Sequence, residues 1–186
     1  MLPNETLMIR NKLLDILLHR RPAVHRLVAR LPGVIGLAGA LAGLGGGLVM
    51  ALIGALLTHA LDQDLWLQLQ VIASLVMGPA VAAESSFVAG PIVVGALIHL
   101  TVAALLGALF EVIMRQIVRL RSAFRIPELA GLGYGLLIWL VVYFAIIPAV
   151  IPLLLQIYAP ALIIQHLVYG AVTGLIYSML RPQPHA

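Results

Sequence analysis

The sequence predicts an all-α polytopic membrane protein: four transmembrane helices as two repeated hairpins, an N-terminal interfacial helix and a short re-entrant helix. Three observations lead there. Mean hydropathy is +1.10, and 62% of the 186 residues are hydrophobic against 10% charged. A soluble domain of this length needs far more charge to cover its surface. Four apolar runs, at about 34–60, 87–113, 129–153 and 158–180, are long enough to cross a bilayer core of about 30 Å. Two short motifs also recur in the same order.

Residues 4–31, "NETLMIRNKLLDILLHRRPAVHRLVARL", mix charge with leucines at helical spacing. Asn4 suits a helix cap and Glu5 its first turn, while Pro22 restarts the chain. Arg10, Lys12, Arg20, Arg21, Arg26 and Arg30 make this segment basic. It reads as a surface-lying amphipathic segment, residues 1–32, suited to anionic lipid or to docking on a partner's cytoplasmic face. No continuous apolar stretch or small-residue cleavage site marks a signal peptide.

The transmembrane domain follows at 33–181, with repeat halves at about 34–115 and 126–181 and a tail at 182–186. The first span carries Gly39, Gly43 and Gly47 four residues apart, a spacing that lets another helix approach closely. Residues 61–86 hold Asp62, Asp64, Gln68, Gln70 and a Gly78-Pro79 break. Their cleanest apolar run is too short to span, so this is the re-entrant or interfacial helix, with Trp66 at headgroup level. Ser86 suits a cap for the second span, and Pro91 is tolerable near its first turn. A basic loop with Arg115, Arg119, Arg121 and Arg125 follows. Pro148 and Pro152 should bend or end the third span. The fourth closes at Arg181.

Charge supports this count. With four spans, all eleven Lys and Arg fall on one side and Asp62, Asp64 and Glu84 on the other. The positive-inside bias then puts both termini in the cytoplasm. The net charge of +4 thus points to topology and anionic lipid, with no nucleic-acid partner. With no cysteine, disulfides, thiolate metal sites and cysteine nucleophiles are excluded.

"AGLGGGL" at 42–48 recurs as "AGLGYGL" at 130–136, and "HLTVAALLGALF" at 99–110 as "HLVYGAVTGLIY" at 166–177. His99 pairs with His166, Leu100 with Leu167, Ala104 with Ala171 and Gly107 with Gly174. A duplicated two-span hairpin keeps its orientation, so the halves should be related by a pseudo-two-fold axis along the membrane normal. His99 precedes Arg115 by sixteen residues and His166 precedes Arg181 by fifteen. Both rings then lie roughly 23 Å from the cytoplasmic helix ends.

Three readings of the histidine pair follow. Interhelical hydrogen bonding is the plainest, because buried polar side chains serve as modest glue between spans. Bis-histidine ligation of a b-type haem by His99 and His166 is the second, since facing helices at one depth suit it. Against it stand the small residues Ala103, Gly107, Gly170 and Gly174, which bring helices together where a macrocycle needs a gap. Proton or small-solute transport is the third. Apart from the pair, His59, Asp62 and Glu84 form a candidate metal set near the outer face, at the end of span one. Gly39, Gly43, Gly47, Gly107, Gly131, Gly135, Gly170 and Gly174 are read as helix-packing positions. The glycines at 43–47 are no dinucleotide loop, lacking the third glycine and a preceding strand. Tyr134, Trp139, Tyr143 and Tyr158 read as interface anchors and packing. No catalytic residue is identified, and no enzymatic activity is expected.

The Gly-rich span, the His-led span, and "AGLGYGLLIWLVVY" followed by "HLVYGAVTGLIY" resemble small uncharacterised four-span bacterial inner-membrane proteins with duplicated Gly-rich/His hairpins. The resemblance covers roughly 35–180. It implies the fold and a bacterial inner-membrane location, and carries over no active-site residue. The expected function is a non-catalytic accessory subunit of a larger membrane complex, in contact with other subunits or with copies of itself. The alternatives are a haem-binding protein and a small-solute or proton transporter.

Overall fold

In the computed structural model, residues 34–83, 87–120 and 127–180 are described, with backbone only at 117–120 and 156. Six α-helices lie there: α1 (Leu37–Ala60), α2 (Leu67–Met77), α3 (Ala89–Leu120), α4 (Pro127–Val141), α5 (Ile147–Val150) and α6 (Ala159–Leu180). A π-helical turn, Val142–Ile146, joins α4 to α5 as one span. Four helical stretches are long and apolar enough to cross a membrane: Leu37–Ala60, Ala89–Gln116, Pro127–Val150 and Ala159–Leu180. The protein is therefore an all-helical membrane protein, with the shorter apolar α2 beside its spans. The amphipathic segment 1–32 and the tail lie outside the described residues.

The second span, α3, runs past the expected end at 113 to Leu120, so Arg115 and Arg119 are helical and do not belong to a loop. The sequence continues the helix because Ile113 and Met114 keep apolar spacing, and Glu111 pairs with Arg115 one turn on. The third span starts at Pro127, where a missing N–H costs nothing, with Glu128 in its first turn. Pro148 does not end it. The turn before that proline widens, with Ile147 donating to the Val142 carbonyl five residues back. Widening relieves the clash between a proline ring and the preceding turn. The chain leaves the helix at Ile151, before the tight turn Pro152–Gln156.

Small residues set the helix packing. A Cβ on Gly43 would strike the Ala103 carbonyl and the Gly107 backbone; one on Gly131 would strike the Gly170 carbonyl and the Gly174 backbone. Gly39 meets Gly107, and Gly135 meets the His166 carbonyl and Gly170. Thus α1 lies tight on α3, and α4 on α6, through all eight expected packing glycines. The "GLGGG" run serves two neighbours, since Gly45 and Gly46 face Ile176, Tyr169 and Thr173 of α6. Two tyrosines tie the second pair of spans to α3: Tyr134 donates to the Leu106 carbonyl at 2.7 Å, and Tyr169 to the Ala103 carbonyl at 2.8 Å. Tyr134 is thus a buried packing residue and not an interface anchor, whereas Tyr158 is exposed. Phe110 stacks edge-on to Tyr177 at 5.6 Å and tilts against Tyr134 at 5.2 Å. These residues lie in the compact unit Ile35–Met179.

Candidate intramembrane binding site

The short helix α2 is placed by polar groups at its start and by a glycine on its neighbour. The Asp64 carboxylate accepts the Trp66 backbone N–H at 2.8 Å, a local turn that starts the helix. Gln68 donates its amide to the Thr58 hydroxyl at 3.2 Å, and Thr58 donates to the Gly54 carbonyl at 2.8 Å. This chain fastens α2 to the end of α1. On α3, a Cβ at Gly95 would collide with the Leu69 backbone, so α2 lies directly on that helix. Gly78, at φ +89, then turns the chain away.

Held there, α2 forms one wall of a cavity of about 470 Å³. The other walls come from all four spans: Met50 and Ala55 of α1, Val102 of α3, Val142 and Ile147 of the third span, and Leu162 of α6. The π-helical turn is part of this wall. Most of the lining is aliphatic. The polar contributions come from Gln68, His99, Gln165, His166, Tyr169 and the indole of Trp66. The described lining holds no Asp, Glu, Lys or Arg.

Both predicted histidines therefore line one cavity. They are held differently. His99 is half-buried and its Nε2 lies 3.0 Å from the Gly47 carbonyl on α1. His166 is buried, and its Nδ1 lies 2.7 Å from the Leu162 carbonyl one turn back on its own helix. A carbonyl only accepts, so each of these nitrogens carries the proton. In a neutral imidazole the other nitrogen then accepts: Nδ1 in His99, Nε2 in His166. Beside His166, Gln165 is 2% exposed, and its Nε2 has no hydrogen-bond partner. A buried amide left unpaired costs about 1–3 kcal/mol. An orphan donor on a cavity-lining side chain is a group that a ligand oxygen would satisfy once the amide turns into the cavity.

A family model described as a family of unknown function, DUF6789, matches residues 34–186. The chain belongs to the DUF6789 family. No curated protein and no solved structure matches it. The DUF6789 match takes in every cavity-lining residue and both histidines, and begins after the basic segment.

Only part of the other predicted set falls among the described residues. His59 and Asp62 are exposed at the end of α1, and Glu84 lies outside the described residues. Among the described residues no three His, Cys, Asp or Glu side chains gather as a metal site. Sequence reasoning missed Gln165 and Gln68 as cavity groups. It also missed Glu111, a fully buried carboxylate that accepts the Gly39 N–H at 2.7 Å and the Arg115 Nε–H at 2.8 Å. For Gln165 there was a signal, an amide inside an apolar run directly before the histidine. For Glu111 the signal was its place four residues before Arg115.

Proposed function

We propose that this protein is a non-catalytic membrane subunit that binds one membrane-soluble small molecule between its spans. The observation that carries this is the cavity of about 470 Å³ with an aliphatic lining and a few clustered polar groups. That size falls within the roughly 300–1,000 Å³ of small-molecule sites, and so does the composition. Its walls come from every span, so a bound molecule would touch both hairpins. Native mass spectrometry from mild detergent tests the reading. A retained small molecule that is lost in the cavity-filling variant Ala55→Phe supports it. Identical spectra for both chains count against it.

Haem held by both histidines is the rival occupant. It would require His99 to release Gly47 for its Nε2 to ligate, whereas an uncharged ligand leaves that bond intact. A visible spectrum separates the two. The present reading expects no Soret band from protein expressed with ample haem supply.

The duplicated hairpin belongs to the same proposal. Gly43 against Ala103 and Gly107 has its counterpart in Gly131 against Gly170 and Gly174. Phe110 and Tyr177, equivalent in the motif alignment, touch each other, as equivalent side chains near a two-fold axis do. The cavity then sits where two copies of one hairpin meet. The basic segments at 10–30 and 115–125 support cytoplasmic termini in a bacterial inner membrane.

A further inference from the structure

We infer that the head of the bound molecule is uncharged and oxygenated, with an oxygen that accepts from Gln165 and an O–H that donates to His166. This rests on the binding reading above and deepens it. Three observations combine. Gln165 lines the cavity, and its buried amide nitrogen lacks an acceptor that a turn of the amide toward a ligand oxygen would supply. His166, the next residue, spends its Nδ1 proton on Leu162, so its Nε2 is an acceptor in the neutral ring. The described lining offers no charged side chain to balance an ion, and an unpaired charge in such surroundings is costly. One donor residue and one acceptor residue, consecutive in α6 and both lining an aliphatic chamber, select a carbonyl or hydroxyl oxygen together with an O–H, carried on an apolar body. A protonated carboxylic acid on an alkyl chain and an alkyl-substituted hydroquinone share that chemistry.

The tyrosine hydroxyl at the cavity does not compete for this role, because Tyr169 already donates to Ala103. Gln68 is likewise engaged through its amide nitrogen with Thr58. Gln165 and His166 are therefore the recognition pair, and the aliphatic walls hold the tail.

The test uses the full chain in nanodiscs with Trp139→Phe, leaving Trp66 as the one tryptophan and placing it at the cavity wall. A bromododecane probe should quench Trp66 saturably. Three competitors then displace it: dodecane, dodecanoic acid and decyl-hydroquinone. At least one oxygenated competitor should act at one tenth or less of the concentration that dodecane needs. Gln165→Leu and His166→Phe should each bring the oxygenated competitors to the potency that dodecane shows in the same variant, with quenching by bromododecane still saturable. Success of the acid alone assigns a carboxyl head, and of the hydroquinone alone a phenolic one. Equal potency of all three competitors overturns the inference but leaves the binding reading standing. So does an advantage that survives either substitution. Absence of saturable quenching removes the binding reading itself.

Discussion

Glu111 joins two helices through one carboxylate. It accepts the Gly39 N–H in the first turn of α1, where helix amides lack partners, and it is held by Arg115. Glu111→Ala leaves that amide unpaired beside an uncompensated arginine. Thermal unfolding in detergent should show a loss of about 1–3 kcal/mol. Glu111→Gln keeps an acceptor and should lose less. Equal stability of the alanine variant and the parent would refute this role. Tyr169→Phe removes only the hydroxyl on the Ala103 carbonyl. The same assay should register about 0.6 kcal/mol, typical of hydrogen bonds between spans. At this scale the sequence was partly legible. His99 and His166 stand out because a titratable ring is rare in an apolar run. The partner each ring takes, Gly47 in one case and Leu162 in the other, depends on rotamers that no motif encodes. Gln165 escaped notice because an uncharged amide is a weaker departure from an apolar background than a histidine.

Glycines carry the packing at the level of elements. Spacing of four places Gly39, Gly43 and Gly47 on one face of α1, and that face meets α3. Gly43→Leu would push its side chain into the Ala103 carbonyl and the Gly107 backbone, forcing the hairpin apart. Overpacking of this kind costs about 1–3 kcal/mol or more, so the variant should unfold at lower denaturant in the same detergent. Gly95→Val is more local. It should lift α2 off α3 at Leu69 and open the cavity wall, giving faster proteolysis near 61–86 with little loss of global stability. A protease pattern unchanged from the parent would contradict the docking of α2 at Gly95. The helix stripes were readable because they follow the 3.6-residue period and rest on small residues. Gly95 was not, since a lone glycine has no periodic partner. The length of α3 was also misjudged. Arginines suggested a loop, yet apolar spacing and the Glu111–Arg115 pair carried the helix on to Leu120.

Across the whole molecule, hydropathy alone was enough to count the spans, and TM-length helices occur at all four expected places. Four spans put residue 63 and residue 122 on opposite sides. The chain lacks cysteine, so Gln63→Cys and Ser122→Cys can each be introduced singly and labelled in intact cells with an impermeant maleimide. Position 63 should react and position 122 should react only after permeabilisation. Reaction of both before permeabilisation would refute the count or the orientation. The cavity itself was invisible in the sequence. It arises where α2, the π-helical turn before Pro148 and the ends of both hairpins leave space, and such a space is a property of packed surfaces. The central claim is that this space binds a membrane-soluble molecule. Its most direct test is the bromododecane titration of Trp66 in the Trp139→Phe background, run beside the same chain with Ala55→Phe. Saturable quenching in the first and weak, non-saturating quenching in the second is the predicted result. Identical, linear quenching in both would contradict the claim.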